Sequence, residues 1–137
     1  MNRQDTKAPR EAIPEETVRV AKEVVDAAYK VHSALGPGLL ENVYEICMVH
    51  DLTRRGLRVE RQVALPIVFE NIRLDAGLRL DMVVNKCVVV KNKASEKSLP
   101  LHEAQLLTYL KLSGLRLGLL INFNVPLIKD GIKRLAL

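Results

Sequence analysis

The spacing of the apolar residues changes at Gly56, and this change sets the order of elements into which the chain can fold. Before Gly56, apolar residues recur at helical intervals over residues 17–34 and 39–55, and a Gly-Pro-Gly turn at 36–38 separates the two stretches. After Gly56 the apolar residues alternate with polar ones, which is typical of a half-buried strand. The sequence therefore predicts a pair of neighbouring helices followed by a meander of strands.

The second half of the chain continues this pattern and then returns to helix. Apolar runs separated by the turn signals Glu70-Asn71 and Asn85-Lys86 predict strands up to residue 69, over 72–84 and over 87–93, with Gly77 marking a bulge or bend. A helix is predicted over 101–113 and a buried strand over 116–123, whereas residues 128–137 allow either a short edge strand or a helix. The predicted fold class is α/β, with a mixed sheet flanked by helices.

The composition indicates one domain but does not identify a binding partner. The chain has 137 residues, of which 48% are hydrophobic, so residues 15–137 are expected to form a single domain after a flexible tail at 1–14. The tail lacks the apolar segment of a secretory signal, and Cys47 and Cys87 lack metal-ligand spacing. We expect a soluble cytoplasmic protein with two reduced core thiols and no membrane partner. The formal charge of +5 fits either an anionic partner or an ordinary solvated surface.

Polar residues occur at the ends of two of the predicted strands. Lys91 and Lys93 follow the apolar run 87–90, and residues two apart in a strand face the same way at about 6.7 Å. A neighbouring strand that ends near Asp81 would place its carboxylate beside them. Gln105 and Tyr109 lie one turn apart on the last predicted helix, where they would face a bound backbone or a catalytic carboxylate.

Five short motifs resemble one known family. They are Gly38-Leu39-Leu40-Glu41-Asn42-Val43-Tyr44, Leu80-Asp81-Met82-Val83-Val84, Val89-Val90-Lys91-Asn92-Lys93-Ala94, Gln105-Leu106-Leu107-Thr108-Tyr109-Leu110 and Gly118-Leu119-Leu120-Ile121-Asn122-Phe123. In this order they resemble the GxxExxY protein family, which is part of the PD-(D/E)XK nuclease-like superfamily. The resemblance implies a restriction-endonuclease-like αβββαβ core.

The resemblance also implies the roles of individual residues. Asp81 and Glu41 would hold Mg²⁺ or Mn²⁺, and Lys93 would orient water or stabilise the phosphate. Gln105 and Tyr109 would support the site. The family has a metal-binding Glu at the position of Lys91, and an ammonium group offers only hydrogen-bond donors. The sequence therefore predicts weak metal binding and impaired cleavage of DNA or RNA.

Several alternatives follow from this substitution. Glu41 or Glu103 would supply the missing carboxylate, or Lys91 would turn to solvent and leave Asp81 to bind metal with waters. Alternatively, Lys91 and Lys93 together would hold a phosphate without metal. The leading hypothesis is a nuclease-like protein that retains nucleic-acid binding. The second is a non-catalytic, self-associating scaffold that forms a homodimer.

Overall fold

The computed structural model describes residues 12–97 and 99–137, so most of the predicted tail at 1–14 lies outside the described residues. The helices are α1 (Glu15–Leu35), α2 (Glu41–Arg54) and α3 (Pro100–Ser113). The strands are β1 (Val59–Phe69), β2 (Ile72–Val84), β3 (Val88–Lys93), β4 (Leu117–Asn122) and β5 (Ile132–Ala136). The predicted order of elements is confirmed.

The helix ends follow from local sequence chemistry. α1 ends at Gly36, whose φ of 71° favours glycine, and α3 ends at Gly114, which adopts the left-handed conformation with φ 77°. Pro100 opens α3 within the first turn, where its missing N–H removes no helical hydrogen bond. Among the described residues, no helix combines the length and apolar character that crossing a membrane requires.

The five strands form one mixed sheet in the order β1-β2-β3-β4-β5. β3 and β4 are parallel, and all other neighbours are antiparallel. α3 provides the crossover that a parallel pair requires. The segment that the sequence left as an edge strand or a helix contains both, because a short 3-10 helix at Ile128–Gly131 precedes the edge strand β5.

Apolar side chains cover both faces of the sheet. The larger core cluster packs beneath α1 and α2 and includes Val24, Tyr44 and Met82. A smaller cluster packs beneath α3 and includes Val83 and Leu106. This arrangement of helices on both faces of a mixed sheet agrees with the predicted restriction-endonuclease-like core.

The β2–β3 hairpin fixes which residues of these two strands meet. Asn85 and Lys86 adopt positive φ angles of 49° and 55° in the three-residue connection between the paired residues Val84 and Val88. The Asn85 side-chain oxygen also accepts a 2.7 Å hydrogen bond from the backbone N–H of Arg58. The turn gives the register in which Met82 lies opposite Val90.

Both cysteines lie against the core, as predicted. Cys47 and Cys87 are half-buried free thiols that pack beside the larger cluster. Burial raises the pKa of the Cys87 thiol, so its reactive thiolate form is disfavoured.

A buried carboxylate joins α1 to α2. Asp51 is 5% exposed, and its oxygens lie 2.9 Å from the Lys30 ammonium and 2.8 Å from Arg55 Nε. Arg55 also pairs with Glu23 on α1 at 2.8 Å. Burial alone would raise the pKa of Asp51, but the hydrogen bonds from Lys30 and Arg55 outweigh it, so the pKa is lowered.

This lowered pKa predicts acid sensitivity. The stabilisation is present above the unfolded pKa of about 3.9 and is lost as the pH falls through the folded value. Asp51→Asn should lower the free energy of unfolding at pH 7 by about 1–3 kcal/mol and flatten its decline in acid. Urea denaturation across this pH range measures both effects, with the exposed Asp26→Asn as control. Equal acid sensitivity in Asp51→Asn and the natural chain would contradict the assignment.

Candidate functional site

The site predicted from the two strand ends forms at the edge of β2 and β3. The antiparallel register continues from Met82 and Val90 to place Asp81 beside Lys91. The Lys91 ammonium lies 3.4 Å from Asp81 Oδ2. The Lys91 side chain is 7% exposed and that of Asp81 is 26% exposed, so the pair lies at the margin of the buried region. The expectation that a neighbouring strand brings the Asp81 carboxylate beside Lys91 is confirmed, although Asp81 lies within β2 and not at its end.

Alternation along β2 places Asp81 on the α3 side of the sheet, because Val83, two residues later, packs under α3. Leu80 and Val83 both pack in the α3-side cluster, although strict alternation would place residues three apart on opposite faces. Met82 packs in the cluster under α1 and α2. On the neighbouring strand, Gln62 has a positive φ of 51°, which marks an irregularity at the same level. The irregularity therefore concerns Leu80, which packs on the α3 side of the sheet instead of on the opposite face.

The aromatic ring of Tyr109 completes the surroundings of Lys91. The Lys91 ammonium lies 5.1 Å from the centroid of this ring, which is within cation–π range. Lys91 is therefore held between a carboxylate and an aromatic face. The alternative in which Lys91 turns to solvent is wrong for this structure, because only 7% of its side chain is exposed.

The remaining predicted residues, Lys93 and Gln105, lie on β3 and α3, the elements that carry Lys91 and Tyr109. Lys93 is half-buried two residues beyond Lys91, and its backbone carbonyl accepts a 2.9 Å hydrogen bond from Phe123. Gln105 is half-buried one turn before Tyr109 on α3, and its side chain forms no hydrogen bond within the described part of the chain. The supporting role of Gln105 stays a prediction.

The two carboxylates proposed as substitutes, Glu41 and Glu103, do not form a three-carboxylate group with Asp81 among the described residues. Glu41 is exposed in the first turn of α2. Glu103 pairs with Lys133 of β5 at 3.1 Å. No group of three or more potential ligands of the His, Cys, Asp or Glu type forms among residues 12–97 and 99–137. The role of Glu41 as a metal ligand stays a prediction without a cluster to support it.

Comparison with known protein families gives one match. A sequence model of the PD-(D/E)XK nuclease superfamily matches residues 18–135, which is most of the chain. The chain belongs to the PD-(D/E)XK nuclease superfamily. No curated protein and no solved structure matches it significantly.

PD-(D/E)XK nucleases typically depend on a divalent metal. The Asp81–Lys91 pair, a carboxylate already bound to an ammonium group, does not fit one. Mg²⁺ takes oxygen ligands, of which Asp81 offers a carboxylate already paired with an ammonium group. Lys91 has no lone pair to donate when protonated, and its positive charge repels a cation. The assignment of Lys91 to the family's metal-binding Glu position stays a prediction from the motif resemblance.

The sequence analysis did not identify Asn122, whose side chain forms hydrogen bonds with the backbone at the end of the site. Asn122 is buried, and its amide accepts hydrogen bonds from the N–H groups of Ser95 and Asn124 at 3.2 and 3.1 Å. It also donates to the Ser95 carbonyl at 2.9 Å. Asn122 lies beside Lys93 in the parallel register and so fixes the backbone that follows the lysine. The only sequence signal was a polar residue at the end of a buried strand.

A second buried amide in this member of the superfamily has no visible partner. Asn92 points away from Lys91 and Lys93, as predicted, and is 1% exposed. Neither its Nδ2 nor its Oδ1 has a hydrogen-bond partner among the described residues. A buried amide without partners typically costs about 1–3 kcal/mol.

We therefore expect Asn92→Val to raise the free energy of unfolding by about 1–3 kcal/mol. The matched control is Asn122→Val, which removes three hydrogen bonds and should lower the stability instead. Urea denaturation of both variants measures the difference. A loss of stability in Asn92→Val comparable to that of Asn122→Val would show that the Asn92 amide is satisfied in solution.

Proposed function

We propose that this chain is a GxxExxY-type member of the PD-(D/E)XK superfamily that binds nucleic acid at the Lys91–Lys93 edge of the sheet without cleaving it. The superfamily match supports the lineage, and the Gly38 to Tyr44 motif supports the narrower assignment. The other four motifs occur in the same order as in that family. Fold alone does not establish turnover, so the proposal rests on the site itself.

The ion pair between Lys91 and Asp81 is the observation that carries the proposal. A metal at this edge would have to displace an ammonium group that is 3.4 Å from the carboxylate and largely buried. The same ammonium contributes a positive charge, which favours a phosphate at the site without metal. The chain therefore loses the means of hydrolysis while it keeps an attraction for the backbone of DNA or RNA.

Lys93 supplies the more accessible charge of the pair. It is half-buried, whereas Lys91 is buried, and strand alternation places both on the α3 face. The net charge of +5 adds a long-range attraction for polyanions. Lys93 is therefore the residue that we expect to contact phosphate directly.

Fluorescence anisotropy with labelled single- and double-stranded DNA and RNA, in EDTA, tests the binding. We expect affinity that falls steeply between roughly 50 and 200 mM salt, because phosphate contacts release counterions. Lys93→Ala should reduce the slope of log K against log salt by about one, whereas Lys22→Ala, on exposed surface of α1, should change little. Absence of affinity at low salt would refute nucleic-acid binding.

The second candidate function is a non-catalytic scaffold that associates with itself. One observation favours it, which is an exposed apolar surface on the β1–β2 hairpin. The two candidates are compatible, because this surface is separate from the Lys91–Asp81 pair.

A further inference from the structure

The β1–β2 hairpin extends beyond the rest of the sheet as a two-stranded arm. β2 pairs with β3 only over Met82–Val84, whereas its pairing with β1 continues to Ile72 and Phe69. We define the arm as residues 63–80. An isolated two-stranded hairpin is at best marginally stable in water. Val63, Leu78 and Leu80 at the base of the arm pack in the α3-side cluster, so only the outer part of the arm needs further cover.

One face of the arm is apolar to its tip. Phe69 pairs directly with Ile72, and Ile67 pairs with Leu74, so these four side chains alternate onto the same face. Phe69, Ile72 and Leu74 are 65%, 58% and 52% exposed. Phe69 alone leaves on the order of 100–150 Å² of apolar surface in water. Contiguous apolar surface of this kind marks an interaction site.

The opposite face of the arm carries its charge. Val68 pairs with Arg73, and Arg73 forms a 2.6 Å ion pair with Asp75. The charged residues of the arm are Glu70, Arg73, Asp75 and Arg79, so its net charge is zero in a chain of net charge +5. A neutral arm offers no electrostatic attraction to nucleic acid. It is also the part of this basic chain that a second basic chain can approach without repulsion.

We propose that the apolar face of the arm, formed by Ile67, Phe69, Ile72 and Leu74, packs against the same face of a second copy of this chain. A two-fold contact is self-complementary, so each apolar side chain is buried in both copies. The contact is face to face and not edge to edge, because β1 carries Pro66 and the positive-φ Gln62, which disfavour strand addition. The inference does not depend on nucleic-acid binding.

Sedimentation equilibrium of the full chain, up to about 200 μM, tests this interface. The natural chain should dimerise reversibly in the micromolar range. The double variant Phe69→Glu/Ile72→Glu should raise the dissociation constant at least tenfold by burying charge at the contact. Both residues are exposed in the monomer, and circular dichroism confirms that the variant is folded.

Val68→Glu is the matched control. Val68 is 62% exposed at the same level of the arm but lies on the opposite face, so its substitution should leave the dissociation constant within about twofold. A natural chain that is monomeric at every concentration would overturn the proposal. So would a Val68→Glu variant that dissociates as readily as the double variant.

Discussion

Lys91→Glu is expected to give the chain Mg²⁺-dependent cleavage of nucleic acid well above that of the natural chain. The substitution places a second carboxylate beside Asp81, in the register set by the β2–β3 turn. Metal ions contribute several kcal/mol of charge stabilisation in such sites, and each 1.36 kcal/mol is tenfold in rate. We therefore expect at least about a hundredfold increase over the natural chain in a Mg²⁺ titration of nuclease activity.

A second readout separates metal binding from turnover. Without metal, two adjacent carboxylates repel each other, so Lys91→Glu should be less stable than the natural chain. Mg²⁺ should raise its unfolding temperature in a concentration-dependent way, because a ligand that binds only the folded state stabilises it. Lys91→Met is the control, since it removes the ammonium without adding an oxygen. Robust Mg²⁺-dependent cleavage by the natural chain would contradict the impaired site.

Asp81→Ala is expected to lower the free energy of unfolding by about 2–4 kcal/mol, because it leaves the ammonium of Lys91 without its carboxylate. This loss is about 1 kcal/mol smaller than the roughly 3–5 kcal/mol usual for a buried pair, because Asp81 is 26% exposed and partly screened. The Tyr109 ring retains part of the stabilisation through its contact with Lys91. Urea denaturation measures the loss.

The double variant Asp81→Ala/Lys91→Met distinguishes a lost ion pair from a lost side chain. When both charges are removed, the penalty of an uncompensated buried charge disappears, so most of the stability should return. If the stability losses of Asp81→Ala and Lys91→Met simply add in the double variant, the two residues are not coupled, which would contradict the ion pair. Lys86→Arg, at an exposed turn, serves as a control for a change in a lysine.

Much of the fold follows from local patterns in the sequence. The change of period at Gly56 predicted the two helices and the strands after them, and Gly114 marked the end of α3. The turn at Asn85 and Lys86 predicted the hairpin that brings Asp81 and Lys91 together. These features depend on residues close in sequence, whose conformational preferences act before any tertiary contact.

Other features depend on contacts between distant segments. The sequence does not predict whether the Lys91 side chain is buried, because a lysine at the end of a strand can reach either solvent or a charged partner. The packing of α3 on the sheet decides between these two orientations. The tail after Ile128 forms both a 3-10 helix and β5, since its register is set by β4 and not by its own pattern. The missing partners of Asn92 were equally invisible, because alternation predicts a side chain's face but not its neighbours.

The central claim is that the Lys91 ammonium occupies the place of a metal-binding carboxylate and leaves a site that attracts phosphate but holds no divalent ion. Mn²⁺ binding followed by electron paramagnetic resonance tests it most directly, with Lys91→Glu as the positive comparison. The account predicts Mn²⁺ binding by Lys91→Glu and none by the natural chain at the same concentrations. Stoichiometric Mn²⁺ binding by the natural chain, abolished by Asp81→Asn, would contradict it.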